Sequence, residues 1–211
     1  MTTRIALVTL LAALVLPSAV AQADNPKLVA LVGTNEAFVI SLRDSAGNLV
    51  TQLEPGTYDI AVSDRSEAHN FHLKGPDVDM STAIGEKQEA TWTVTIGVGR
   101  YSFVCDAHAS SMRGYFLAGA ITPMTLTGGV GPRRTISLKP RSALPGPAVF
   151  TVNDRSATDN FHLSGPGVNR KTGVKTRGKA TWAVTLKPGV YTYRSDKTKK
   201  LRGTLTVRFP S

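Results

Sequence analysis

The single cysteine of this 211-residue chain, Cys105, stands in "YSFVCDAHASSMRGYF", three positions before His108 and seven before Met112. A thiolate, an imidazole and a thioether on one short loop make a soft donor set. Upstream, alternation in "HNFHL" groups His69, Phe71 and Leu73 on one strand face and leaves Asn70 and His72 opposite. The same parity in "RYSFVC" puts Tyr101, Phe103 and Cys105 in one core-facing row, so Cys105 sits where that strand ends. If the two strands are neighbours, His69 approaches the loop and one thiolate, two imidazoles and a thioether converge. Magnesium and calcium want oxygen ligands and bind such a set poorly. A structural zinc site uses cysteines and histidines, and the thioether argues against it. Two histidines and a cysteine with a long, weak methionine is the arrangement of a blue-copper electron-transfer site. The alternative for the lone thiol is an inert, buried cysteine.

The elements that must hold these residues come from an internal repeat. "VSDRSEAHNFHLKGPDV" (62–78) is echoed by "VNDRSATDNFHLSGPGV" (152–168), and "ATWTVTIGVGRYSF" (90–103) by "ATWAVTLKPGVYTY" (180–193), both at an offset of 90 residues. With small gaps, "FVISL" (38–42) aligns with "RTISL" (134–138), and "MRGYF" (112–116) with "LRGTL" (201–205). Two domains are expected, 24–121 and 122–211. The joint "TPMTLTGGVGP" (122–132) should begin the opening strand of the second copy, with Gly-Gly-Val-Gly-Pro as a turn. Short, β-branched and aromatic segments separated by Pro-Gly and Gly-Pro predict an all-β fold, two tandem β-sandwiches with Greek-key connections. Trp92 and Trp182, equivalent in the two copies, read as core residues.

With His69-Asn70 followed by Cys105, His108 and Met112 on one loop, the sequence resembles the cupredoxin family, the plastocyanin and azurin type. The resemblance covers nearly the whole chain after the leader as fold, and residues 62–116 as a copper site. It implies one type 1 copper held by His69, Cys105 and His108, with Met112 as the axial ligand. It further implies that Asn70 ties the two ligand-bearing loops together. An electron would pass at the His108 edge, beside an apolar patch of Ala107, Ala109 and Met112. His72 could compete with His69 for the metal, but the second copy retains its counterpart His162 while losing the other candidate ligands, which favours a structural role.

Across the repeat, His69 becomes Asp159, Cys105 becomes Ser195, Met112 matches Leu201, and His108 has no imidazole counterpart near Thr198. The second domain is therefore expected to hold no copper. Its charge has moved as well: residues 133–211 carry 17 Lys and Arg against 3 Asp and Glu, whereas residues 24–132 carry 7 against 12. The loop matching the copper loop has become "SDKTKKLRG", with Lys197, Lys199, Lys200 and Arg202. A charge run of this kind is a solvated face or a docking site for an anionic surface, whether acidic lipid, envelope polymer or acidic redox protein. Nucleic acid is not expected, since no aromatics interleave with the lysines.

The opening "MTTRIALVTLLAALVLPSAVAQAD" has the charged, apolar, small-residue order of a signal peptide over residues 1–23, and its apolar run is short for a membrane span. A secreted, periplasmic or cell-surface protein is expected, not membrane-spanning. Four histidines are too few for the three-copper cluster that the resemblance assigns to multicopper oxidases, so the chain is expected not to be an enzyme. The expected function is an electron carrier with a redox protein as partner. The competing readings are a copper chaperone or store, and a scaffold or adhesion module with a vestigial copper site.

Overall fold

The structure, a computed structural model, describes residues 24–209. The expected signal peptide lies outside the described residues. Among these, no helix is long and apolar enough to cross a membrane.

The first half contains nine strands: β1 (Lys27–Val32), β2 (Ile40–Asp44), β3 (Gln52–Leu53), β4 (Gly56–Asp64), β5 (His72–Gly75), β6 (Val78–Ser81), β7 (Gln88–Ile96), β8 (Gly99–Val104) and β9 (Arg113–Ala118). The second half repeats them as β10 (Met124–Val130), β11 (Ile136–Lys139), β12 (Ser142–Ala143), β13 (Gly146–Asp154), β14 (His162–Gly165), β15 (Val168–Lys171), β16 (Gly178–Leu186), β17 (Gly189–Arg194) and β18 (Arg202–Val207). Each half builds a four-stranded and a five-stranded sheet with matching order, β2-β1-β4-β7 and β3-β9-β8-β5-β6 against β11-β10-β13-β16 and β12-β18-β17-β14-β15. The sheets are mixed: β1 runs parallel to β4, and β3 to β9, within otherwise antiparallel neighbours.

Alternation explains the cores. In β4, Tyr58, Ile60 and Val62 face inward between more exposed neighbours, and β8 sends Tyr101 and Phe103 to the same interior. Residues of both sheets form one apolar cluster in the first half, and a separate cluster fills the second. Each cluster has its own Trp at the margin: Trp92 lies 6.2 Å from Phe71 and Trp182 lies 6.3 Å from Phe161, both half-buried. The expected all-β architecture, with paired sheets around a core in each half, is the fold of this chain.

One local expectation is corrected. Gly128, Gly129 and Val130 are not a turn but the end of β10, paired with β11 on one side and β13 on the other. The reason is packing: a Cβ at Gly128 would meet the Phe161 ring at 3.0 Å. Glycine there admits an aromatic ring, and the chain turns only at Gly131, with φ of 70°.

Pairing gathers the functional loops at one end of each sandwich. Val32 at the end of β1 lies beside Asp64 at the end of β4, which lies opposite Gln88 at the start of β7. In the other sheet, His72 opens β5 opposite Val104, the last residue of β8, which faces Arg113 of β9. The loops 33–39, 65–71, 82–87 and 105–112 therefore share this end.

Candidate metal centre

His69, three residues before β5, and Cys105, directly after β8, lie close together because β5 and β8 are hydrogen-bonded neighbours; the strand expected over "HNFHL" begins only at His72. Cys105 ends in an extended conformation, and a 3-10 turn over Asp106–His108 then brings His108 back above it. The three donor atoms face one another: Cys105 Sγ is 3.7 Å from His69 Nδ1 and 3.5 Å from His108 Nδ1, and the two imidazole nitrogens are 3.0 Å apart. His69 and Cys105 are buried and His108 is half-buried. A divalent metal at the centre of a planar His2Cys set, with bonds of about 2.0 Å to nitrogen and about 2.3 Å to sulfur, needs edges of about 3.5 Å and about 3.7 Å. The two sulfur–nitrogen edges come within about 0.2 Å of the required length, and the nitrogen–nitrogen edge has to open by about 0.5 Å. The donor set fits a thiophilic metal such as copper.

Met112 closes the loop through its backbone. Its N–H donates to the His108 carbonyl at 2.9 Å, and its own carbonyl accepts from the Cys105 N–H at 3.0 Å. Its side chain is fully buried in the first core beside Cys105. It is thus no part of a surface patch, which corrects that expectation; Ala107 and Ala109 are exposed.

Asn70 joins the two loops. Its Oδ1 accepts from the Asp106 N–H at 2.8 Å, while its Nδ2 donates to Asp106 Oδ2 at 2.8 Å and to the Thr82 carbonyl at 3.4 Å. His72 points away from the donor triangle, with Nδ1 2.8 Å from Asp106 Oδ2 and Nε2 against Asp79. Burial pushes the Asp106 carboxyl up, but the hydrogen bonds from Asn70 and His72 outweigh it and hold it below the usual carboxylate range.

Two contributors escaped the sequence reading. Phe38 sets its ring edge-on against both imidazoles, with centroids 5.1 Å from His69 and 4.8 Å from His108, while remaining 62% exposed. Its loop is clamped by Gly33, whose φ is 67° and where a Cβ would collide with Ser66, and by Ser66 Oγ donating to Glu36. The available signal was length: seven residues separate β1 from β2, against five between β10 and β11, and at the end of this longer connection Phe38 stands where the second copy has Arg134. The second contributor is Asp106, whose counterpart Asp196 is identical at the same 90-residue offset.

The second half keeps the frame and fills the ligand positions with polar groups. His162 Nδ1 lies 2.7 Å from Asp196 Oδ1, and Asn160 exchanges two bonds with Asp196, accepting at 2.8 Å and donating at 3.0 Å. Where the first copy has His69 and Cys105, Ser195 Oγ donates to Asp159 Oδ1 at 2.8 Å. Hydrogen bonds from Thr198 first and then Ser195 hold the Asp159 carboxyl low despite its burial. Lys197, Lys199 and Lys200 are exposed on the following loop, and Arg202 opens β18.

An all-β sandwich carrying a buried His2Cys triangle defines a candidate centre for a thiophilic metal such as copper. No family model matches the chain, and no curated protein matches it. Among solved structures, a copper-containing nitrite reductase from Thermus scotoductus SA-01 is 11% identical, covering 88% of this chain and 61% of its own, with a TM-score of 0.28. A multi-copper oxidase from Pediococcus acidilactici is 8% identical over 88% of this chain and 59% of its own, at a TM-score of 0.30. A laccase from Botrytis aclada is 9% identical over 76% of this chain and 54% of its own, at a TM-score of 0.28. The chain thus spans between half and two thirds of these neighbours, and likeness at such identity bears on the fold alone. All three neighbours are copper enzymes, and the expectation that this chain is not an enzyme is withdrawn accordingly.

Proposed function

We propose that the first half would hold a type 1 copper through which single electrons pass, with His69, Cys105 and His108 as strong ligands and Met112 as a weak one. The observation that carries this reading is the convergence of Cys105 Sγ and the two Nδ1 atoms, all within 4.8 Å of one another. Bound there, copper would supply one-electron chemistry by alternating between Cu(I) and Cu(II). The chain's own part is to hold the donors still. Cys105 and His108 are fixed by the Asn70 and Asp106 bonds, His69 by its burial beneath Phe38, and water is kept from the thiolate by the first core. A soft thiolate suits Cu(I), imidazole suits both oxidation states, and a rigid frame limits movement between them.

In this proposal the second half carries no copper, a redox protein exchanges electrons at the His108 edge, and the chain acts outside the cytoplasm after loss of residues 1–23. The test is addition of Cu(II) to the purified chain. An intense visible thiolate-to-copper band is expected, one equivalent per chain, and it should vanish in Cys105→Ser and persist in His72→Ala. No band in the parent chain, or a band that survives Cys105→Ser, overturns the reading.

A further inference from the structure

We propose that the ligand-free end of the second sandwich is a docking face for an anionic lipid surface. It stands apart from the copper reading, since it uses none of the donor residues. The sequence singles out only the run from Lys197 to Arg202; the topology adds three more loops. Val130 and Asp154 end parallel neighbours, Asp154 lies opposite Gly178, and His162 lies opposite Arg194. The connections after β10, β13, β15 and β17 therefore share one end. They bring Arg133 and Arg134, Arg155, and Lys175 and Arg177 to the side of the lysine run, all exposed.

Among the described residues of this half, no free acidic side chain balances them. Of the three carboxylates in residues 133–211, Asp154 and Asp159 are buried, and Asp196 is spent on His162, Arg194 and Lys171. The same end of the first half has the opposite character. Glu67, Glu86 and Glu89 there correspond across the repeat to Ala157, Thr176 and Lys179. Charge at this end has changed sign while the Asn160, His162 and Asp196 frame beneath it is unchanged.

The surroundings select the partner. The large apolar side chain exposed in the second half, Val190, lies at the start of β17, away from this end. A protein interface draws on buried aromatic or aliphatic anchors, and none is offered. The aromatic rings of the half are packed in its interior or, as Phe209, against Tyr115 of the first half, so the stacking platform a nucleic acid uses is missing too. Loop tips bearing dispersed cations without an anchor suit a broad, fluid array of headgroups, for which each Lys or Arg near the surface adds to attraction within a Debye length.

The test is co-sedimentation of the full chain with vesicles of phosphatidylcholine containing about 30% phosphatidylglycerol, beside vesicles of phosphatidylcholine alone. Partitioning is expected to be at least about tenfold stronger on the anionic vesicles and to fall about tenfold between about 0.1 M and about 0.5 M salt. Two charge-matched variants locate the face. Lys197→Glu/Lys200→Glu should lose about tenfold, and Lys139→Glu/Lys187→Glu, at the opposite end of the strands, less than about twofold. The Cys105→Ser chain should bind as well as the parent, so failure of the copper reading leaves this result unaltered. Equal binding to both vesicles, equal loss in both variants, or tighter retention on polyglutamate than on the anionic vesicles each overturns the proposal.

Discussion

Replacing Asn70 by Ala isolates the tie between the two ligand loops, and the repeat supplies a control within the same molecule. The substitution takes the 2.8 Å acceptor from the part-buried N–H of Asp106; an unmet donor costs about 1–3 kcal/mol, the lower part of that range applying where water has partial access. It also removes the donor to Asp106 Oδ2. A hydrogen bond to a carboxylate is worth about 1.5–3 kcal/mol, and the 41% exposure of the Asp106 side chain places this one at the low end. The 3.4 Å contact to the Thr82 carbonyl adds little. The expected loss is about 3–4 kcal/mol in the metal-free protein. Asn160→Ala removes the same pair of bonds to Asp196 and should destabilise the second half by a similar amount. Denaturant unfolding can follow the halves separately, because Trp92 and Trp182 flank different cores: Trp182→Phe leaves a reporter of the first half, and Trp92→Phe one of the second. A loss below about 1 kcal/mol in Asn70→Ala would refute the reasoning. So would a large loss there with none in Asn160→Ala, since the frame would then depend on the metal-binding copy alone.

Phe38→Ala should cost at most about 2 kcal/mol in stability, since about 80 Å2 of ring is covered, yet it should open the imidazole pair: the Cu(II) spectrum of the variant is expected to shift on adding azide while that of the parent does not. Asp196 is held below its ordinary value of 3.8, first by the hydrogen bond from His162. Its contribution is therefore complete above that value and lost as pH falls through the lower folded value. Stability of the second half, followed by Trp182 fluorescence, should decline below about pH 4, and Asp196→Asn should flatten that decline.

Strand parity made Cys105, Phe103 and Tyr101 legible as one buried row, because a two-residue period needs no tertiary information. The 90-residue offset did the same for the paired sheets. Phe38 was not legible: it is adjacent to His69 and His108 only through the parallel pairing of β1 with β4, a contact between segments some thirty residues apart that no local pattern encodes. Asp106 failed for a different reason. As an acid next to the cysteine it reads as a solvated charge, and only its hydrogen bonds to Asn70 and His72 show it to be a keystone of the loop. The Gly128-Gly129 stretch was misread because glycine serves equally for a turn and for the close approach of a ring, here Phe161.

The polar pair of Asp159 and Ser195 has a consequence for the order of events when this protein matures. The second half, with Asp159 and Ser195 in place of His69 and Cys105, still closes its loop around Asn160, Asp196 and His162. The first half closes its loop with the matching bonds of Asn70, Asp106 and His72, so under the proposed copper reading the chain would finish folding before the metal enters. Copper supply and folding would then be separate steps, and a molecule without the ion would wait as an intact receptacle.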